Sequence, residues 1–419
     1  MSRANNINPS ILVWARETAG LSIEEAAERL GFAESEATTA TEKLAQLESG
    51  YRSPTRTQLA KFASVYRRPL ITFYLKKPPA KGDRGEDFRQ TSDTVSKREN
   101  ALLDALLRDV RARQEMVRNL LEDDDDFREL NFVGSARIDD GAPAFAQAIA
   151  RELDFDYTSK ALRRGGVDAL FKELRTKTEA AGVFVLLIGD LGSHHSTLAA
   201  EVFRGFVIAD SVAPFIVIND QDARSARSFT LLHELAHIFL GQSGVSGTPE
   251  PSAPHTEHEK VERFCNDVAG EFLLPRIGLG EKPDALRDDN KQVVDSVVSG
   301  IAEMWAISEP MVAYRLNRIG WISSKIYRSL AADYAARWQL ARQRAKESFR
   351  EAEGGPSYYV IKQSKLGNAL IEIVGRTLRE NQLTHTKAAK VLGVKTSSVE
   401  PLLRGYESGR GAILTDTGR

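Results

Sequence analysis

Apolar positions in the first 75 or so residues recur at helical spacing, in short runs broken by polar turns. The pattern predicts helices over 10–18, 22–30, about 39–47 and about 55–66. Ser22 and Glu25 form a capping box at the head of the second. Leu21, Ile23, Ala26, Ala27 and Leu30 give that helix an apolar face, and Gly31 closes it. Ser49-Gly50 ends the third helix, and Leu59, Phe62, Ala63 and Tyr66 share one face of the fourth. Short helices in this number suit a helix-turn-helix bundle. Pro78, Pro79, Lys81, Gly82 and Asp83 mark a linker. Residues 96–122 then read as one long charged helix. The carboxylates Asp123 to Asp126 read as its solvated end rather than as a metal site. The stretch 143–181 is helical again.

The pattern changes at Val183, where Val183 to Ile188 form an unbroken apolar run of buried-strand type. Val202–Ile208 and Pro214–Ile218 follow as β-rich runs separated by Ala209-Asp210-Ser211, which predicts a small antiparallel hairpin. Residues 225–240 return to helical spacing, with Phe229, Leu232, Ala236 and Phe239 as the apolar stripe. A polar loop rich in Gly, Ser and Pro runs from Gln242 to Pro254. A helix over 257–274 stops at Pro275, and the remainder is helical, broken at Gly354-Gly355-Pro356. The expected architecture is a mainly helical, multi-domain α+β chain. Its expected segments are a helix-turn-helix domain (1–77), a helical linker region (78–160), a mixed core (161–280), a helical extension (281–353) and a helical, helix-turn-helix-like end (354–419). Residues 1–77 hold their own apolar set and are expected to fold alone.

A chain of 419 residues exceeds one ordinary core, in keeping with several domains. Its 57 basic and 58 acidic residues leave a formal net charge of −1, which excludes a globally basic nucleic-acid binder but not a local basic patch. Cys265 is the only cysteine, so no disulfide forms within the chain and a reducing compartment fits. Residues 1–6 open no apolar signal region, and no run reaches the length of a membrane span. A cytoplasmic protein with no membrane partner is expected.

Chemistry concentrates in His233-Glu234-Leu235-Ala236-His237. On a helix the two histidines stand at i and i+4 and project from one face, so both ring nitrogens can bind one Zn²⁺. Glu234, beside the first, can reach water at the metal and take its proton. The alternative, two satisfied histidines, is weakened by the placement of the motif on an amphipathic helix just after a hairpin. A third ligand is still needed. The residues after His237, Ile238-Phe239-Leu240-Gly241-Gln242-Ser243, offer no third histidine at metzincin spacing. Glu257, Glu259, Glu262 and Glu271 on the next helix are the available carboxylates. Glu262 is favoured because Asn266, one turn on, can hydrogen-bond a ligating imidazole. Glu271 reads as outward-facing. His255 and His258 fall in or beside the polar loop. His194 and His195 precede the hairpin and read as loop histidines, with oxyanion stabilisation as the alternative for one of them.

The run Arg227 to His237, followed by Glu262-Arg263-Phe264-Cys265-Asn266 and Ala269-Gly270-Glu271-Phe272-Leu273-Leu274-Pro275, resembles the ImmA/IrrE family of zinc metallopeptidases. The strand-rich lead-in, Phe203-Arg204-Gly205-Phe206 and Pro214 to Asn219, is similar as well. The resemblance implies a small gluzincin-like α+β core, zinc held by His233, His237 and Glu262, and Glu234 as catalytic base. It also implies a protein substrate, often a helix-turn-helix transcriptional repressor, in stress response or mobile-element control. Residues 8–75 resemble an XRE-type helix-turn-helix, carried by Ala19-Gly20-Leu21-Ser22, Glu48-Ser49-Gly50 and Pro54-Thr55. Val312–Ile322 resembles the helices that follow such a core, and Tyr358 to Val394 the end of long XRE-fused members.

Residues 1–76 carry ten Lys/Arg against eight Asp/Glu, a thin surplus for phosphate binding. If this module reads DNA, Lys43 and Gln46 of its third helix are the base readers and Arg52, with Tyr51, meets the backbone. The alternative is a protein-docking bundle. The run Phe32–Thr41 is longer than a tight helix-turn-helix turn. Two readings of the whole chain follow: a zinc endopeptidase acting on a regulatory protein, or a DNA-binding transcriptional regulator whose zinc fold senses or scaffolds. Glu234 favours the first, because a sensor needs no base beside its ligands.

Overall fold

The computed structural model describes residues 7–34, 38–79, 86–87, 95–124, 127–159, 163–192, 196–247, 254, 256–351 and 357–416. The chain forms two compact units, one of residues 1–84, 91–110 and 190–198, the other of residues 85–90, 111–189 and 199–419.

In the first unit the spaced apolar residues become four helices, α1 (Pro9–Thr18), α2 (Ile23–Leu30), α3 (Ala40–Glu48) and α4 (Arg56–Val65). Ser22/Glu25, Thr39/Glu42 and Thr55/Gln58 close reciprocal capping boxes at the heads of α2, α3 and α4. A side-chain N-cap is typically worth about 1 kcal/mol, so these fix where each helix starts. Phe62 lies fully buried at the centre, with ring contacts to Phe32, Tyr66 and Phe73. The Arg16 guanidinium grips both Glu48 oxygens, at 2.8 and 3.1 Å, and ties α1 to the end of α3. The long helix α5 (Lys97–Glu122) begins in this unit. At the α1–α2 turn, a Cβ on Gly20 would stand 2.8 Å from Arg98 Cα. The helical bundle of residues 8–75 therefore shares its unit with later segments.

The second unit is α+β and mainly helical. Its sheet contains β1 (Glu86–Asp87), β2 (Phe184–Leu187), β3 (Gly205–Ile208), β4 (Phe215–Ile218) and β5 (Gly244–Ser246), in the order β1-β5-β3-β4-β2. The expected hairpin is β3–β4, antiparallel with Gly205 opposite Ile218. One expectation changes here. The loop over Gln242–Pro254 contains a buried strand, β5, whose Gly-Val-Ser sequence carries no alternation to announce it. Both strands of the hairpin lie inside the sheet, because β3 also pairs with β5 and β4 with β2.

The helices of this unit are α6 (Ala142–Glu152), α7 (Gly166–Ala180), α8 (Arg227–Leu240), α9 (Glu257–Leu273), α10 (Arg276–Leu279), α11 (Lys291–Trp305), α12 (Glu309–Arg318), α13 (Ser324–Glu351), α14 (Tyr358–Leu366), α15 (Asn368–Arg379), α16 (His385–Leu392) and α17 (Val399–Asp416). The helical stretch 143–181 holds two helices, α6 and α7. Asp154 turns the chain at φ 46°, and Phe155 and Tyr157 of the break pack on Phe272 of α9, with ring centroids 5.5 and 5.2 Å away. These aromatics match a helical face in sequence but serve an irregular segment. One apolar cluster takes in α6 to α9, the sheet and α11 to α13, from Phe145 through Leu235 and Phe272 to Trp305, Trp321 and Tyr334. The Gly354-Gly355-Pro356 break and Asp125-Asp126 lie outside the described residues, while Asp124 pairs with Arg376 at 2.8 Å. No helix among the described residues is long and apolar enough to cross a membrane.

Candidate metal centre

Helix α8 is buried on every side from Ser228 to Phe239, a burial wider than the single stripe its sequence suggests. Its far end is closed by Gly241 in the left-handed region, φ 69°, where a side chain would be strained. Gly134 and Ala136 donate backbone N–H bonds to the last carbonyls, Ile238 and Phe239, at 3.0 and 3.1 Å. The helix is therefore held firmly at the turn that carries His233 and His237.

The two Nε2 atoms face each other at 3.2 Å. Glu262 of α9 brings Oε1 to 2.9 Å from His237 Nε2 and Oε2 to 3.4 Å from His233 Nε2. Among the described residues, His233, His237 and Glu262 form the one group of His, Cys, Asp or Glu that can hold a metal ion, with ligand atoms all within 4.8 Å of one another. Two ligands about 2.0–2.1 Å from a tetrahedral zinc stand roughly 3.3 Å apart, so the spacing and the N,N,O donor set both fit that ion. Ser246 of β5 places its hydroxyl 3.1 Å from His233 Nε2. Phe229, one turn earlier, stacks on the His233 ring at 6.3 Å.

Glu234 is fully buried, and among the described residues neither of its carboxylate oxygens has a hydrogen-bond partner of acceptable geometry, although the Ser246 side chain lies near enough to favour its charge slightly. Burial pushes its carboxyl up to about 8, against the opposing pull of His233 and with Glu262 adding repulsion. For Glu262 burial also acts to raise the pKa, but the two imidazoles overcome it and hold the group down at about 2. Burial disfavours the charged form of His233, yet Glu262, then Glu234 and Asn266, raise its pKa above the ordinary value. Asn266 is buried four residues after Glu262 on α9, about 40° further round the same face.

Gly205 of β3 lies against Glu234. A Cβ there would stand 2.4 Å from Glu234 Oε1 and 2.8 Å from Thr230 Cγ2. Gly205→Ala is therefore expected to lose about 1–3 kcal/mol of stability through overpacking. Urea unfolding checks this, and an unchanged midpoint would mean the carboxylate has room to swing aside.

The other carboxylates of α9 are engaged elsewhere. Glu257 pairs with Lys260 at 2.6 Å, and Glu259 closes the capping box with Thr256. Glu271, expected to face outward, is buried instead. It pairs with Arg315 of α12 and accepts the Arg276 backbone N–H at 3.0 Å. Nine residues separate it from Glu262, which on an α-helix is half a turn out of phase. Because α9 is packed between α8 and α12, neither of those faces reaches solvent. His258 is exposed on the first turn of α9, while His194, His195 and His255 lie outside the described residues.

Of the residues assigned to DNA reading, Lys43 bonds the Ala33 carbonyl at 2.5 Å and so closes the long α2–α3 turn. Gln46 is half-buried with its carbonyl oxygen inside the bundle, whereas Tyr51 and Arg52 are exposed. Sequence reasoning missed two contributors to the metal centre. A glycine within a strand signals close approach and could have flagged Gly205. Ser246, in what read as a loop, gave no signal.

Residues 190–317 match the model of a peptidase family, described as the IrrE N-terminal-like domain. The match supports a metallopeptidase and spans α8, α9 and all the residues of the centre. No curated protein and no solved structure matches the chain.

Proposed function

We propose that the chain is a zinc-dependent endopeptidase of gluzincin-like type that cleaves a regulatory protein, with a helix-turn-helix repressor as the expected substrate. In this reading His233, His237 and Glu262 hold the metal, Asn266 supports the His233 imidazole and Glu234 is the general base. The observation that carries it is the pairing of an N,N,O ligand set with a buried carboxylate that has no well-formed hydrogen bond among the described residues. Burying an unpaired carboxylate is costly, and a purely structural or sensing metal site gives it no task. The alternative, a DNA-binding regulator with a zinc sensor, leaves Glu234 unexplained.

A bound zinc ion supplies Lewis acidity, which makes water a stronger acid and polarises a peptide carbonyl. Glu234 accepts the proton of the attacking water at a carboxylate oxygen and returns it to the leaving amine nitrogen. Gly205 leaves the space that the carboxylate fills.

The metal assignment is tested by elemental analysis. Wild type is expected to hold about one zinc per chain and His233→Ala nearly none. Asn266→Ala should keep the ligands but weaken zinc affinity about 10–100-fold. Full zinc retention by His233→Ala would reject the assignment.

A further inference from the structure

We propose that the C-terminal helices α16 and α17 form a second helix-turn-helix whose exposed basic face binds double-stranded DNA. This site is separate from the metal centre and does not depend on the peptidase reading.

Helix α16 starts at Thr384, whose hydroxyl accepts from Lys387 N at 3.3 Å. It ends at Gly393, φ 59°, a left-handed position that glycine adopts without strain. Val394 N–H returns to the Ala389 carbonyl at 3.0 Å, and a single 3-10 turn, Thr396–Ser398, leads directly into α17. The connection is short, as a helix-turn-helix requires. Its inner side is apolar: Leu383, Ala388, Ala389, Val391 and Leu392 are buried, as are Val399, Leu402 and Leu403 of α17 and Leu370, Ile371 and Val374 of α15, and the three helices pack together. The turn lies close against α5, where a Cβ on Gly393 would stand 2.3 Å from the Arg113 guanidinium. The Arg376–Asp124 pair ties α15 to the end of the same helix.

The outer side is polar and cationic. Lys387 and Lys390 of α16, Lys395 of the turn and Arg404 of α17 are all exposed. Of the exposed carboxylates here, Glu400 is held by His385 Nε2 at 2.9 Å and Glu407 by Arg379 at 2.8 Å. Thr396 and Ser397 stand exposed at the head of α17, where the second helix of such a motif meets base edges in the major groove. The lysines of the first helix and turn are placed for phosphates. The contrast with the first unit favours this end of the chain. There the turn between α2 and α3 is long, Lys43 is committed to a backbone carbonyl and charge is nearly balanced.

The test uses the full chain and a fluorescein-labelled 30-base-pair duplex of mixed sequence, followed by anisotropy at 50 and 200 mM salt. Wild type should bind, with affinity falling steeply as salt rises. Lys387→Glu/Lys390→Glu/Lys395→Glu should weaken binding at least about 10-fold and flatten the log–log salt slope by about 3, one unit per phosphate contact. Thr396→Asp/Ser397→Asp should also weaken it, while Lys43→Glu/Arg52→Glu should stay within about twofold of wild type. Unchanged zinc content and circular dichroism in the variants separate these losses from misfolding. Wild-type affinity in the triple lysine variant, or loss of binding in the Lys43/Arg52 variant instead, overturns the proposal. Absence of binding by wild type at 50 mM salt also overturns it.

Discussion

Glu234→Gln should keep zinc and fold yet cut cleavage of a protein substrate by about 10²–10⁴-fold, the usual worth of general-base catalysis. The substitution is nearly isosteric, so the space left by Gly205 still fits it. Glu234 is not among the three converging ligand side chains, so the metal set stays whole. What disappears is a carboxylate able to accept a proton. Incubating both proteins with candidate repressors and following intact mass measures the difference, and equal cleavage would reject Glu234 as the base. The same variant makes a second, independent expectation in the metal-free chain. There the Glu234 carboxyl is raised from 4.5 to about 8, so the folded state keeps a proton that the unfolded chain has already lost. Stability from this group is full below about 4.5 and is lost as pH rises through about 8. Gln has no such titration. Metal-free Glu234→Gln should therefore out-melt metal-free wild type at pH 8, and the gap should close towards pH 4. Parallel stability curves would show that the buried carboxyl carries no such penalty.

The centre was legible where its chemistry is local. The spacing of His233 and His237 and the adjacency of Glu234 are properties of a single helix, so sequence alone puts them on the page. Glu262 needed a second helix to pack at the right phase, and Asn266 one turn on was the only local hint of that phase. The same phase argument misplaced Glu271. Alternation along α9 shows which residues share a face, but not that α12 covers the face opposite α8. Strands told a similar story. Phe184–Leu187 and Phe215–Ile218 are apolar throughout and stood out, whereas β5 is Gly-Val-Ser and is a strand because β1 and β3 pair with it. The helices of the first unit were clear from Ser22/Glu25 and from apolar spacing, which are local signals. The commitment of Lys43 to the Ala33 carbonyl depends on the path of a long turn, which no periodicity describes.

Glu271→Ala should cost about 3–5 kcal/mol, the loss expected when one partner of a buried ion pair is removed and the other is left inside. Glu271 and Arg315 side chains are each only 8% exposed, so solvent screens their pair little. Arg315 has a second bond, from Nε to the Leu274 carbonyl at 3.3 Å, and Asp267 nearby also favours its charge. These keep the expected loss near the lower end of the range. Glu271 additionally accepts the Arg276 N–H, which fixes the chain where α9 gives way to α10 after Pro275. Glu271→Gln retains that acceptor and a neutral hydrogen bond towards Arg315, so it should lose less than the alanine variant. Replacing both partners, Glu271→Leu with Arg315→Leu, should recover much of the loss, because two apolar groups need no partner. Urea unfolding of the three variants by circular dichroism completes the comparison. A loss below about 1 kcal/mol in Glu271→Ala would mean the pair is screened like a surface bridge. The pair also bears on the metal. Glu271 pins the outer face of α9 to α12, while Glu262, half a turn out of phase, reaches inward to the imidazoles. Glu271→Ala should therefore weaken zinc binding while leaving every ligand in place, and Glu271→Leu/Arg315→Leu, which packs α9 again, should restore it.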